Sequence, residues 1–171
     1  MTAVLSIRPT GSVAVVEFDD GVPLRCTRDF LHRMKIRKGQ QIEAVFVDRL
    51  RESAADDLAL FEAERLNRRG RLSRNEIALK LQRADIPDSN ARAALDLLAE
   101  RGDLDDQSVA LQVVRRSLNR EISQNPDLTW NRFRNLQGRR LALRGFGSAE
   151  SNAALRQAWA ELAESPLAHR R

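Results

Sequence analysis

The sequence predicts a mostly α fold: a small N-terminal antiparallel β-meander followed by two tandem three-helix repeats. Three observations carry this. Short β-branched runs of alternating polarity are confined to residues 3–51, and from Ala54 onward apolar residues recur at helical spacing. Aromatic residues make up only 5% of the chain and Tyr is absent, while hydrophobic residues reach 42%. The core must therefore be built mainly of Leu, Ala, Val and Ile, which suits helix-on-helix packing. Third, residues 81–95 and 141–155 align without a gap.

Ala3 to Arg8 and Ser12 to Phe18 alternate as strands do, with Pro9 and Gly11 between them. Asp19-Asp20-Gly21 is a hairpin turn signal, and Val22 to Thr27 reads as the returning strand. Arg28 to Met34 reads as a short helix with Phe30, Leu31 and Met34 on one side, and Gly39 closes a turn. Ile42, Val45, Phe46 and Leu50 have helical spacing, although this Val-rich run could also be a strand; the helix is the preferred reading. A meander this short must pack on a helix to bury much.

The helical region opens with Ala54 to Arg69, carrying Leu58, Phe61, Arg65 and Leu66 at helical spacing, with Gly70 as its stop. Ser73-Arg74-Asn75-Glu76 is a capping box, in which the Ser hydroxyl takes the third residue's N–H and the Glu reaches back. The helix it starts places Ile77, Leu81 and Ala84 on one face, and Pro87 marks the break after it. Ser89 to Arg101 follows, with Ala91, Ala94, Leu95 and Leu98 as its apolar stripe. Gly102 suits a left-handed helix end, Leu104 an anchor, and Asp105-Asp106 the start of a helix that runs to Glu121 with Ala110, Val113, Val114 and Leu118 inward. Ser123 to Leu128, with Pro126, is a loop. Thr129 to Arg144 is the next helix, with Trp130, Phe133, Leu136, Leu141 and Leu143 available to pack and Gly138 as a possible kink. Ser148 to Leu162 closes the fold through Leu155, Trp159 and Leu162, and a short tail follows.

In the aligned segments Leu81 meets Leu141, Ile86 meets Phe146, and Ala93-Ala94-Leu95 meets Ala153-Ala154-Leu155. Two Ala/Leu helices resemble each other by chance easily. The shared turn hydrophobe, Ile86 or Phe146, is the less common feature, and it would plug the end of a three-helix core. The expected division is a strand-rich extension over 1–51, three-helix repeats over 54–101 and 105–162, and a tail over 163–171.

With the repeat in view, the sequence resembles the RecX family of recombinase regulators. Gly102-Asp103-Leu104-Asp105-Asp106, then Val109-Ala110 and Arg115-Arg116, resemble the family's Gly-aromatic-Leu-Asp-Asp run and the helix after it. Asp103 stands where the aromatic is usual and Val109 replaces a Phe. Ser73-Arg74-Asn75-Glu76 with Leu81 is similar to the family's Ser-x-x-Glu-Leu helix start, and Leu143-Arg144-Gly145-Phe146 to its Leu-x-x-Lys-Gly-Ile turn. The strand-rich part, with Asp19-Asp20-Gly21 and Arg37-Lys38-Gly39, is similar to the extension of some members. The resemblance implies tandem three-helix units, two here where many members carry three. It implies a protein that binds the RecA recombinase filament in DNA recombination, repair and the SOS response, inhibiting its ATPase and strand exchange without being an enzyme. Single- or double-stranded DNA is a further partner it suggests.

Charge points the same way. The chain carries a net +5 and charged residues reach 31%. Lys occurs only at positions 35, 38 and 80, an imbalance that a GC-rich genome produces without any function. Residues 107–146 hold eight arginines, Arg115, Arg116, Arg120, Arg132, Arg134, Arg139, Arg140 and Arg144, against only Glu121 and Asp127. Such a run is most often a solvated helix face; the functional reading is a binding stripe for the RecA filament or DNA, since the planar guanidinium fork fits carboxylate and phosphate alike. Trp130 and Phe133 within it could stack on bases, but core packing is the better reading where aromatics are so few. The alternative to a RecA regulator is a DNA-binding helical module acting without RecA.

No catalytic or metal-binding constellation is legible, and no cofactor is expected. Asp105-Asp106 has no His, Cys or third carboxylate beside it and reads as a cap. His32 and His169 are isolated, and no Gly-rich phosphate loop is present. Cys26 is a lone small apolar residue, consistent with a reducing cytoplasm. No signal-peptide pattern or membrane-length apolar run is visible, so a cytoplasmic monomer with no membrane contact is expected.

Overall fold

The computed structural model describes residues 1–68, 72–125 and 127–164. The expected stop at Gly70, the loop residue Pro126, His169 and most of the tail lie outside the described residues. Four strands and seven helices are found among those described, so the fold is mostly α with a small N-terminal antiparallel sheet. The chain forms two compact units, one of Met1–Arg65 with Leu81–Leu97, the other of Leu66–Lys80 with Leu98–Arg171 so far as described.

The first unit holds β1 (Thr2–Thr10), β2 (Val13–Phe18), β3 (Leu24–Thr27), α1 (Arg28–Arg33) and β4 (Gln41–Ile42). The sheet is antiparallel in the order β3-β2-β1-β4. The fourth strand escaped the sequence reading. It has two residues, pairing Thr2 with Ile42 and Ala3 with Gln41, too few for any periodicity to show. Ile42, expected on a helix, is in this strand and buried. β3 starts at Leu24 rather than Val22, because Pro23 has no N–H and the Val22 N–H donates to Asp20 Oδ1 at 2.9 Å.

The long helix α2 (Ala44–Asn67) replaces the two shorter helices expected on either side of residue 52. No Gly or Pro interrupts it, so nothing in the sequence ends the helix near residue 52. Val47, Leu50 and Ala54 share its buried face with Val4, Val16, Phe18, Leu24 and Phe30, which gives the sheet the helix it needs. Val45, Phe46 and Met34 are exposed instead of packed, and Arg65 is an exposed partner of Glu62. Arg51 fastens the helix to the β2–β3 turn, donating to Asp20 Oδ2 at 2.7 Å and to the Val22 carbonyl at 2.8 Å. The Thr27 hydroxyl caps α1 through the Phe30 N–H at 3.0 Å and donates to Asp57. Cys26 is fully buried, and burial, with Asp57 nearby, pushes its thiol up to about 11.

The later helices are α3 (Arg74–Gln82), α4 (Asp88–Glu100), α5 (Asp106–Gln124), α6 (Trp130–Leu143) and α7 (Ser148–Glu164). The capping box is formed as read: the Glu76 N–H donates to Ser73 Oγ at 3.1 Å and the Ser73 N–H to Glu76 Oε2 at 2.8 Å. Gly102 takes φ +73 and closes α4. The α3–α4 and α6–α7 turns, aligned in sequence, share their backbone bonds residue for residue. The Ile86 N–H donates to the Leu81 carbonyl at 3.2 Å and the Phe146 N–H to that of Leu141 at 3.1 Å. The residue before each hydrophobe is left-handed, Asp85 at φ +58 and Gly145 at +76, and both hydrophobes are buried.

The core of the second unit includes Val109, Ala110, Val114, Leu118, Phe133, Leu141, Phe146, Ala154, Leu155 and Ala158. Trp130, Phe133 and Trp159 form a tilted trio with centroids 5.2–6.0 Å apart. Two packing expectations fail here: Leu136 and Leu143 are exposed. On α6 the inward face is already filled by Phe133, Gln137 and Leu141, so the leucines on the next stripe face out. The helix runs through Gly138 unbroken; a Cβ there would sit 3.8 Å from Leu155 Cδ1.

Candidate binding surface

All eight arginines of the basic segment belong to the second unit, on α5, α6 and the turn after α6. Asp105 starts α5 by accepting the Ser108 N–H at 2.9 Å, and Thr129 starts α6 through the Arg132 N–H. The first cap is as read. Asp106 does something the sequence did not reveal: its Oδ1 accepts the Arg74 N–H at 2.8 Å, so it caps α3, a helix more than thirty residues earlier in the chain. Burial, reinforced by the charge of Glu150, raises the Asp106 carboxyl above its ordinary value against the pull of that N–H. This is a docking role, with no acid–base partner beside it.

The arginines divide into two groups. Three are tied to acids. Arg144 grips Glu76 through Nε and Nη2, each bond 2.8 Å, and lies over the Phe146 ring. Burial opposes ionisation of Glu76, but the Arg144 fork and the Ser73 N–H outweigh it and hold the carboxyl below its ordinary value. The Ser73 hydroxyl donates to the Arg144 carbonyl at 2.8 Å, and Gly145 passes so close to Asn75 that no side chain fits between. Arg144 is thus a clasp between the α3 N-terminus and the α6 C-terminus. Arg115 donates to Glu161 of α7 through both Nε and Nη2, and Arg140 reaches Glu121 at 3.3 Å.

The other five, Arg116, Arg120, Arg132, Arg134 and Arg139, are exposed. None of them forms an ion pair with a described acid. Arg134 and Arg139 flank a groove between α6 and α7 of about 480 Å³, with Asn135, Ser148, Ser151 and Asn152 among its walls. Trp130 is half-buried in the aromatic trio and packs on the core, which favours the packing role over base stacking. Leu104 is only half-buried, on the wall of an open groove with Gly102, Asp106 and Glu150.

Among the described residues no group of three or more His, Cys, Asp or Glu could hold a metal ion, and no helix is long and apolar enough to cross a membrane. The class that fold and surface define is a helical protein with a strand-rich N-terminal part and a guanidinium-rich unit. Among solved structures it is similar to one titled "Crystal structure of regulatory protein RecX", at a TM-score of 0.58 and 18% identity, over 96% of this chain and 79% of that one. No protein-family profile and no curated protein sequence matches the chain.

Proposed function

We propose that this protein is a RecX-like regulator that binds the RecA recombinase filament and lowers its ATPase and strand exchange. The observation that carries the reading is the likeness of its fold to regulatory protein RecX over 96% of the chain. The five arginines that form no ion pair with a described acid supply a surface for an anionic filament. In this reading the chain is a cytoplasmic monomer without cofactor. Its repeats are 54–101 and 105–162; Arg115 and Arg140 serve mainly to brace the second one, and Arg144 ties the end of α6 to α3 of the first.

The test is direct. Added to RecA filaments on single-stranded DNA, the protein should shorten them and slow ATP turnover. Arg116→Ser with Arg120→Ser, Arg132→Ser and Arg139→Ser should weaken that inhibition about tenfold or more without unfolding the chain. Filaments of unchanged length and turnover at saturating protein would overturn the proposal. The same five arginines favour one second reading, a helical module that binds naked DNA with a steep salt dependence and no need of RecA.

A further inference from the structure

The outer face of α6 is not composed as a polyanion site alone would be. Leu136 is 41% exposed and Leu143 80% exposed. They alternate with Arg132 and Arg139 at i, i+4, i+7 and i+11, within roughly 60° of arc at 100° per residue. The Ser117 hydroxyl donates to Gln137 Oε1 and Arg140 to Glu121, so α5 runs along the flank of α6 next to this stripe. A phosphate backbone gains nothing from a leucine, whereas an apolar partner gains about 25 cal/mol per Å² buried. The arginines of the stripe form no ion pair with a described acid, so an incoming carboxylate displaces none of those.

We propose that the Arg132-Leu136-Arg139-Leu143 stripe of α6 is a docking face for an acidic amphipathic helix of a partner protein. The leucines meet its apolar ridge, and Arg132 and Arg139 meet its carboxylates. This rests on the reading of the chain as a regulator that binds protein, and narrows it: the α6 stripe engages the protein part of the filament, leaving DNA to arginines elsewhere.

The probe is a fluorescent amphipathic peptide of roughly 20 residues, long enough to be helical, with Leu on one face and Glu on the other. It is titrated against the full chain, with single-stranded DNA as the second ligand. Wild type should bind the peptide at physiological salt. Leu136→Ser with Leu143→Ser should weaken peptide binding about tenfold and leave DNA binding within about twofold. Arg132→Gln with Arg139→Gln should weaken it as much and flatten its salt dependence. Both pairs are on the surface, and unchanged circular dichroism confirms the fold. Peptide affinity indifferent to the leucine pair, or wild type that binds DNA but not the peptide, overturns the docking face. Leucine-dependent peptide binding by a chain that leaves RecA filaments untouched sustains this face and sinks the regulator reading instead.

Discussion

Gly145→Ala strikes the contact that joins the start of α3 to the end of α6. Gly145 has φ +76, where an L side chain costs about 1–2 kcal/mol. The new Cβ would also meet Asn75 Nδ2 at 2.2 Å and Asn75 Cβ and Cγ at 2.7 Å. Cβ cannot swing away from its helix, so α3 must move. That motion strains the bond from the Ser73 hydroxyl to the Arg144 carbonyl, worth about 0.5–1.5 kcal/mol, and the Glu76–Arg144 pair beside it. The expected total is about 2–4 kcal/mol, a fall of about 1–2 M in a urea midpoint for m near 2 kcal/mol/M. Asn75→Gly removes all three clashing atoms, so in that background Gly145→Ala should cost only its backbone part, a coupling of about 1–2 kcal/mol. A midpoint within about 0.25 M of wild type, or the same loss in the Asn75→Gly background, would refute this account of the junction.

Gly138→Ala should do the reverse: the added methyl meets only Leu155 Cδ1 at ordinary contact distance, and the helix gains about 0.5–1 kcal/mol, read as a raised melting temperature. Glu76 has a lowered folded pKa, so the stability it contributes is present above its ordinary value of 4.5 and is lost as pH falls through the lower folded one; Glu76→Gln should flatten the acid side of the stability profile between them. Leu104→Ala should cost about 1–2 kcal/mol by denaturant titration, at or below the low end for buried leucines, because Leu104 is only half-buried. If DNA is held by the five arginines that form no ion pair with a described acid, the slope of log K against log salt should not exceed about −4.5 in size on duplex DNA, against about −7 if all eight took part.

What the sequence made legible was local. The Ser73 capping box, the Asp105 cap, the Gly102 stop and the paired Leu81–Ile86 and Leu141–Phe146 turns depend on residues a few positions apart, and those bonds are present. What it hid was long-range. Asp106 looks like a second helix-start residue, and only the fold brings the Arg74 N–H to it. β4 exists because β1 offers it an edge, not because Gln41-Ile42 has any pattern. The break expected near residue 52 fails for a related reason: Ala54 is small and buried among the sheet residues, so the helix continues where periodicity alone seemed to end. The α6 stripe was legible in principle, since Arg132, Leu136, Arg139 and Leu143 are spaced for one face, but counting leucines as core concealed it.

The net charge of residues 107–146 therefore overstates what the surface offers. Charge summed along the chain treats every guanidinium alike, but the fold uses them in two ways. Arg144 and Glu76 are both partly buried, and breaking them would leave a carboxylate facing its neighbours without its counter-ion. That pair carries stability and is a poor candidate for binding, because releasing Arg144 to a ligand would first cost the clasp. Arg115 lies at the other extreme: its bond to Glu161 is at the surface, where solvent screens most of its value, so a stronger anion could take it over at little cost. Arg140 falls between them, exposed itself but reaching the buried Glu121. The order in which these arginines become available follows from the burial of their acids, which sequence spacing does not encode.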